Sequence, residues 1–129
     1  RKPDGTLYEH QPLRVVMGSR ELSSSLRVLN SDAKTVQYKT HSIQDVLSEL
    51  WKQEVRHLLV EGGATVISEF IKQGLFDEIL VYQAPLLIGG SNLAVEDLQL
   101  NTMSEAIQLS FSEVKVLGRD VLFRAVRSN

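Results

Sequence analysis

His57-Leu-Leu-Val-Glu-Gly-Gly-Ala-Thr65, running on into Val66-Ile-Ser-Glu-Phe-Ile-Lys-Gln-Gly74, is the stretch from which the fold class is read. His57 to Val60 is too short and too apolar for an amphipathic helix, and it predicts a strand covered on both faces. Glu61 closes that strand. Gly62 and Gly63 then allow a sharp turn and the close approach of another group. Ile67, Phe70 and Ile71 recur at helical spacing, which predicts a helix from Ala64 or Thr65 with Gly74 just past its end. The first N–H groups of such a helix lack intrahelical acceptors and sit at the positive end of its dipole. Gly62, Gly63, Ala64 and Thr65 therefore suit a phosphate, with Thr65 donating its hydroxyl or capping the helix. They suit an ordinary strand-to-helix turn equally well. No Lys-Ser or Lys-Thr follows, so this is not a Walker loop, and the spacing is not G-x-G-x-x-G.

Upstream, Leu13-Arg-Val-Val-Met17 is rich in β-branched residues and predicts a first strand. It runs into Gly18-Ser19-Arg20, a small residue, a hydroxyl and a cation. Ligands of open α/β sheets bind beyond the carboxyl ends of strands, so Ser19 and Arg20 form a second candidate anion site; a solvated turn is the alternative. Ser23 to Ser25 reads as a polar linker. Lys34 to Lys39 predicts a second, shorter strand. Ile43, Val46, Leu47, Leu50 and Trp51 mark one face of a helix, and Ser42 with Asp45 resembles a capping box. That register predicts a core position for Trp51.

Downstream, Leu75 to Tyr82 predicts another buried strand, in which Asp77 and Glu78 point to opposite faces and cannot pair as acid and base. Leu86-Leu-Ile-Gly-Gly90 is a second glycine-bearing loop, and Thr102 with Glu105 suits a short helical turn. Ile107, Leu109 and Phe111 alternate, then Val114 and Val116 alternate with opposite parity. That slip predicts a β-bulge near Ser112-Glu113. Gly118-Arg-Asp120 turns the chain into a last strand, Val121 to Val126. Strands alternating with helices predict an α/β fold over residues 1–129 as a single domain: a mostly parallel sheet flanked by helices, closed by a C-terminal antiparallel hairpin.

Composition narrows the function. A 43% apolar content in 129 residues suffices for a core, and the net charge of −2 with no basic tract argues against nucleic acid or an anionic membrane as partner. No apolar run is long enough to span a bilayer. With no cysteine, disulfides, thiolate catalysis and cysteine metal sites are excluded, and a cytoplasmic setting is the expectation. His10, His41 and His57 are too scattered to form a metal-ligand pattern.

Four stretches go beyond a generic α/β pattern: Leu59-Val-Glu-Gly-Gly-Ala-Thr65, Phe70-Ile-Lys-Gln-Gly-Leu-Phe-Asp-Glu78, Tyr82-Gln-Ala-Pro-Leu-Leu-Ile-Gly89 and Leu117-Gly-Arg-Asp-Val121. In order and spacing they resemble the C-terminal reductase domain of the bifunctional riboflavin biosynthesis deaminase/reductase, a dihydrofolate-reductase-like family, over essentially the whole chain. The resemblance implies an NADPH-dependent reductase that reduces the ribose of 5-amino-6-(5-phosphoribosylamino)uracil to the ribityl form. It implies that Glu61 contacts the substrate's sugar. Gly62, Gly63, Ala64 and Thr65 match the loop that holds the NADPH phosphates. Ser19 matches a position near the adenosine 2′-phosphate, with Arg20 assisting.

The family domain begins with a strand carrying a lysine, a helix and an Asp-x-Pro-x-Leu-Thr-x-Arg loop. Of these, only Arg1 corresponds here, as the loop's last arginine and a ligand of substrate phosphate. The chain is therefore expected to be a fragment of the reductase domain, lacking the upstream deaminase and inactive or a poor catalyst alone. Two rivals remain: a dihydrofolate-reductase-like oxidoreductase acting on another substrate, and a non-catalytic dimerisation module. A homodimer through the C-terminal strands and the last helix is the expected assembly. No catalytic dyad, serine–histidine pair or metal cluster is expected. Hydride transfer needs chiefly positioning, because the cofactor carries the chemistry.

Overall fold

The structure, a computed structural model, describes residues 2–128. The chain divides into two compact units, Arg1–Leu58 and Leu59–Asn129.

In the first unit, β1 (Arg14–Met17) and β2 (Thr35–Tyr38) pair in parallel, with Arg14 opposite Thr35 and Met17 opposite Tyr38. Parallel neighbours need a crossover. It is pinned by two residues that face each other in the register. The Arg14 guanidinium donates to the Val28 carbonyl (3.0 Å) and to Asn30 Oδ1 (2.7 Å), and the Thr35 hydroxyl donates to the same Val28 carbonyl. A 3₁₀ turn, Arg27–Leu29, lies between these anchors.

Helix α1 (Ile43–Lys52) follows, with Ser42 as N-cap accepting the Asp45 N–H, as the Ser-x-x-Asp spacing predicts. Ile43, Val46 and Leu50 are buried. Trp51 is not: it is 64% exposed, with the Arg56 guanidinium 4.2 Å above its ring. The apolar stripe is narrower than the sequence suggests. Trp51 lies at its margin, and a cation covers the indole in place of the core.

In the second unit, α2 (Ala64–Lys72) begins where the helical spacing predicts. Gly74 follows with φ +65°, the left-handed conformation that ends helices. A three-stranded antiparallel sheet has the order β3 (Glu78–Gln83), β5 (Asp120–Arg127), β4 (Leu109–Leu117). The register shift between Phe111 and Glu113 is the bulge announced by the change of parity. Besides Ser68, Phe70 and Ile71 of α2, the buried residues of this unit are Leu122 and Ala125, both on the central strand β5.

Three further expectations are corrected. The fold is α/β, but the strands are not mostly parallel: among the described residues only β1 and β2 pair in parallel, and β3 runs antiparallel to β5. Alternation of strands and helices does not fix strand direction, and β3 takes its partner from the closing hairpin. Residues His57 to Val60 form no strand among the described residues, and Leu59 is 70% exposed. The division between the two units falls within this stretch, after Leu58, and none of the described strands pairs with it. Finally, β3 is not buried, since Val81 and Tyr82 are exposed.

Candidate functional site

The two candidate anion sites fall in different units, Ser19 and Arg20 in the first and Gly62 to Thr65 in the second. Arg1, the candidate for substrate phosphate, lies outside the described residues.

The loop beyond β1 is held from behind. Gly18 donates its N–H to the Tyr38 carbonyl (3.0 Å) and adopts φ +125°, which favours glycine. The Gln37 side-chain amide donates to the carbonyls of Gly18 (2.9 Å) and Arg20 (2.7 Å). The backbone of Ser19 is thus bracketed, and the side chains of Ser19 and Arg20 are exposed. Glu21 is drawn to Lys39 at 3.2 Å rather than to Arg20. Sequence reading missed Gln37, because nothing local distinguishes a strand glutamine that fastens a neighbouring loop.

At the second site, Glu61 is exposed and its carboxylate bonds to no described residue. Gly62 lies against the helix it precedes: a Cβ there would fall 2.8 Å from Val66 Cβ. Gly63 is the N-cap of α2, with no side chain to cap the helix and with nothing within 4 Å of where its Cβ would be. Its carbonyl accepts the Ile67 N–H at 3.1 Å. The N–H groups of Ala64, Thr65 and Val66 have no acceptor among the described residues. Open space above an uncapped first turn is what a phosphate requires.

Thr65 does not cap its own helix. Its hydroxyl donates to Glu96 Oε1 at 2.6 Å. The Glu96 N–H in turn donates to Ser68 Oγ at 2.7 Å, and Ser68 is only 2% exposed. A cleft of about 460 Å³ opens beside this contact, lined by Ala64, Ser91, Asn92, Leu93, Glu96 and Asp97. Asp97 is engaged locally, accepting the Gln99 N–H at 2.8 Å. The sequence gives no sign of Glu96, which lies in an irregular stretch far from Thr65. Ser68 carries a faint one, as a hydroxyl on the apolar side of a helix. Glu78 opens β3, and its carboxylate meets the Arg124 Nε of β5 at 3.4 Å.

Among the described residues no group of His, Cys, Asp and Glu is placed to hold a metal ion. No helix of the described residues is long and apolar enough to cross a membrane.

The geometry is that of an α/β chain in which a glycine turn feeds an uncapped helix N-terminus, and comparisons with known proteins give its family. Residues 1–123 match the family model described as the RibD C-terminal domain, and the chain belongs to that family. It is 38% identical over 126 residues to the riboflavin biosynthesis protein RibD of Mycobacterium tuberculosis H37Rv, which covers 98% of this chain and 37% of that protein. It is 36% identical over 115 residues to the 2,5-diamino-6-ribosylamino-4(3H)-pyrimidinone 5′-phosphate reductase of Archaeoglobus fulgidus, covering 70% of this chain and 52% of that one. The chain thus spans little more than a third of the RibD protein and about half of the archaeal reductase. The solved structure of Acinetobacter baumannii RibD, form 2, superposes with a TM-score of 0.81 at 24% identity, over 95% of this chain and 41% of that one, a likeness that bears on the fold.

Proposed function

We propose that this chain is the pyrimidine-reductase domain of a riboflavin biosynthesis protein, in a dihydrofolate-reductase-like arrangement. It uses NADPH to reduce the ribose of 5-amino-6-(5-phosphoribosylamino)uracil to the ribityl form. The observation that carries the reading is the uncapped first turn of α2, with open space over Gly63, in a chain of the RibD C-terminal domain family. The name of the archaeal relative supports the substrate class, a phosphorylated ribosylaminopyrimidine. NADPH, when bound, supplies the hydride. The chain's own residues bind and orient: Gly62, Gly63, Ala64 and Thr65 hold cofactor phosphates through backbone N–H groups. Ser19 and Arg20 take the adenosine 2′-phosphate, Arg1 the substrate phosphate, and Glu61 hydrogen-bonds the sugar hydroxyls.

We extend the reading to a cytoplasmic homodimer. Its support is one face of the β3–β5–β4 sheet. The register places Val81, Phe123 and Val114 in one row across the strands, with Val121 and Val116 in the next row and Ala125 and Phe111 in the row beyond. Phe111 (68% exposed) and Val116 (71%) lie open on it. An apolar face of this kind on an edge strand suits a second copy of the chain.

The test is NADPH titration followed by nicotinamide fluorescence, with Glu61→Gln and Gly63→Val as companions. Binding that survives Glu61→Gln and is lost in Gly63→Val is the expected result. Equal binding by wild type and Gly63→Val removes the phosphates from α2.

A further inference from the structure

We propose that Glu96 is an internal anion at the entrance of α2, and that a cofactor phosphate must displace its carboxylate from Thr65 while the Glu96 backbone stays in place. The inference rests on the reading of residues 62–65 as the phosphate site.

Thr65 has one O–H, and that proton is given to Glu96 Oε1 at 2.6 Å, in the short range of hydrogen bonds to a charged acceptor. While it is so engaged, the hydroxyl offers an incoming phosphate only lone pairs. An ionised carboxylate is itself acceptor-only, so the phosphate would also meet a like charge. The negative charge beside the first turn of α2 is favourable in the free protein, because it complements the helix dipole. Glu96 therefore stabilises the ligand-free state of the site it obstructs.

The two attachments of Glu96 differ in kind. Its side chain is exposed and held by a single hydrogen bond, and it forms no ion pair with a described residue. Its backbone N–H is fixed to Ser68 Oγ, which is buried. Thr65 and Ser68 are three apart and share one helix face, so both anchors lie on the same strip of α2. Breaking the buried bond would strand a polar group, whereas releasing the carboxylate returns it to water. The side chain is the part that swings, and the cleft beside Ala64 and Leu93 gives it room. The gate sets a threshold: an anion must bring enough charge and enough additional contacts to outcompete a tethered carboxylate.

Affinities for NADPH and for inorganic pyrophosphate, measured by calorimetry on wild type, Glu96→Ala, Glu96→Gln and the double variant Thr65→Val/Glu96→Ala, test it. Glu96→Ala is expected to tighten both ligands about three- to tenfold, the size of one charge interaction near a helix end. Glu96→Gln keeps an acceptor without the charge and falls between. The double variant loses the gain. Wild-type binding of NADPH that is unchanged or weakened by Glu96→Ala overturns the gate and leaves the phosphate site standing. Failure of every folded variant to bind either ligand overturns both.

Discussion

Gly62 and Val66 are packed too closely to admit a side chain: a Cβ on Gly62 would lie 2.8 Å from Val66 Cβ, whereas one on Gly63 would meet nothing within 4 Å. The adjacent glycines therefore have different reasons to be there. Gly62 serves the junction itself, and Gly63 leaves a space that the protein does not fill. Gly62→Ala is expected to destabilise the fold by about 1–3 kcal/mol through overpacking against backbone-tethered atoms. Gly63, with φ −69° and ψ 173°, accepts any residue, and Gly63→Ala should cost only about 0.5 kcal/mol as a poorer cap. Urea unfolding of the two variants checks this, and equal losses would refute the distinction.

The same logic separates Leu50 from Trp51. Leu50 is buried on α1, so Leu50→Ala is expected to cost about 2–4 kcal/mol. Trp51 loses chiefly its stacking with Arg56, and Trp51→Ala should cost no more than about 1 kcal/mol. Thermal unfolding of both variants reads the difference. A Trp51→Ala loss as large as that of Leu50→Ala would place the indole in the core after all.

These pairs show which parts of the molecule are legible in its sequence. The Ser42 cap, the start of α2 at Ala64 and the bulge after Phe111 depend on residues within a few positions of one another, and local spacing announces them. The antiparallel pairing of β3 with β5, the exposure of Leu59 and the bond from Thr65 to Glu96 each depend on what lies opposite. A period-two or period-3.6 pattern says that a face is apolar, and it does not say which distant segment covers it. The glycine turn into α2 is readable because glycine and a helix start are local. The carboxylate that accepts the Thr65 hydroxyl comes from 31 residues away in the chain.

Arg124 stands on the central strand, directly opposite Glu113 of β4, with its Nε 3.6 Å from Glu113 Oε2 and 3.4 Å from Glu78 Oε1 of β3. These are ion-pair distances, and Nε itself makes no hydrogen bond. All three side chains are partly open to water, which screens the attraction. Arg124→Met keeps the aliphatic stem and leaves two carboxylates across one strand from each other. The expected loss is about 0.5–1.5 kcal/mol, and 1 M salt should reduce it, because repulsion between the glutamates is then screened. A loss that persists undiminished at high salt would mean that packing of the stem, not charge, is what Arg124 contributes.

The open sheet face gives the proposed dimer a sharper test than light scattering of wild type alone. Val114 and Val116 lie on β4, an edge strand, and the register puts them in rows with Phe123 and Val121. Both are exposed, so replacing them removes little from the folded monomer. A lysine at either position adds a charge that β4 readily solvates and that a buried interface would have to desolvate twice, once from each copy. A stable dimer needs roughly 1,200 Å² or more of total buried surface, and two charged positions near its centre are enough to abolish it. Wild type is therefore expected to sediment as a dimer at micromolar concentration, and Val114→Lys/Val116→Lys as a monomer with an unchanged circular dichroism spectrum. If the double variant sediments as a dimer, the assembly uses another face. If wild type is itself monomeric at that concentration, the apolar face does not hold two copies together.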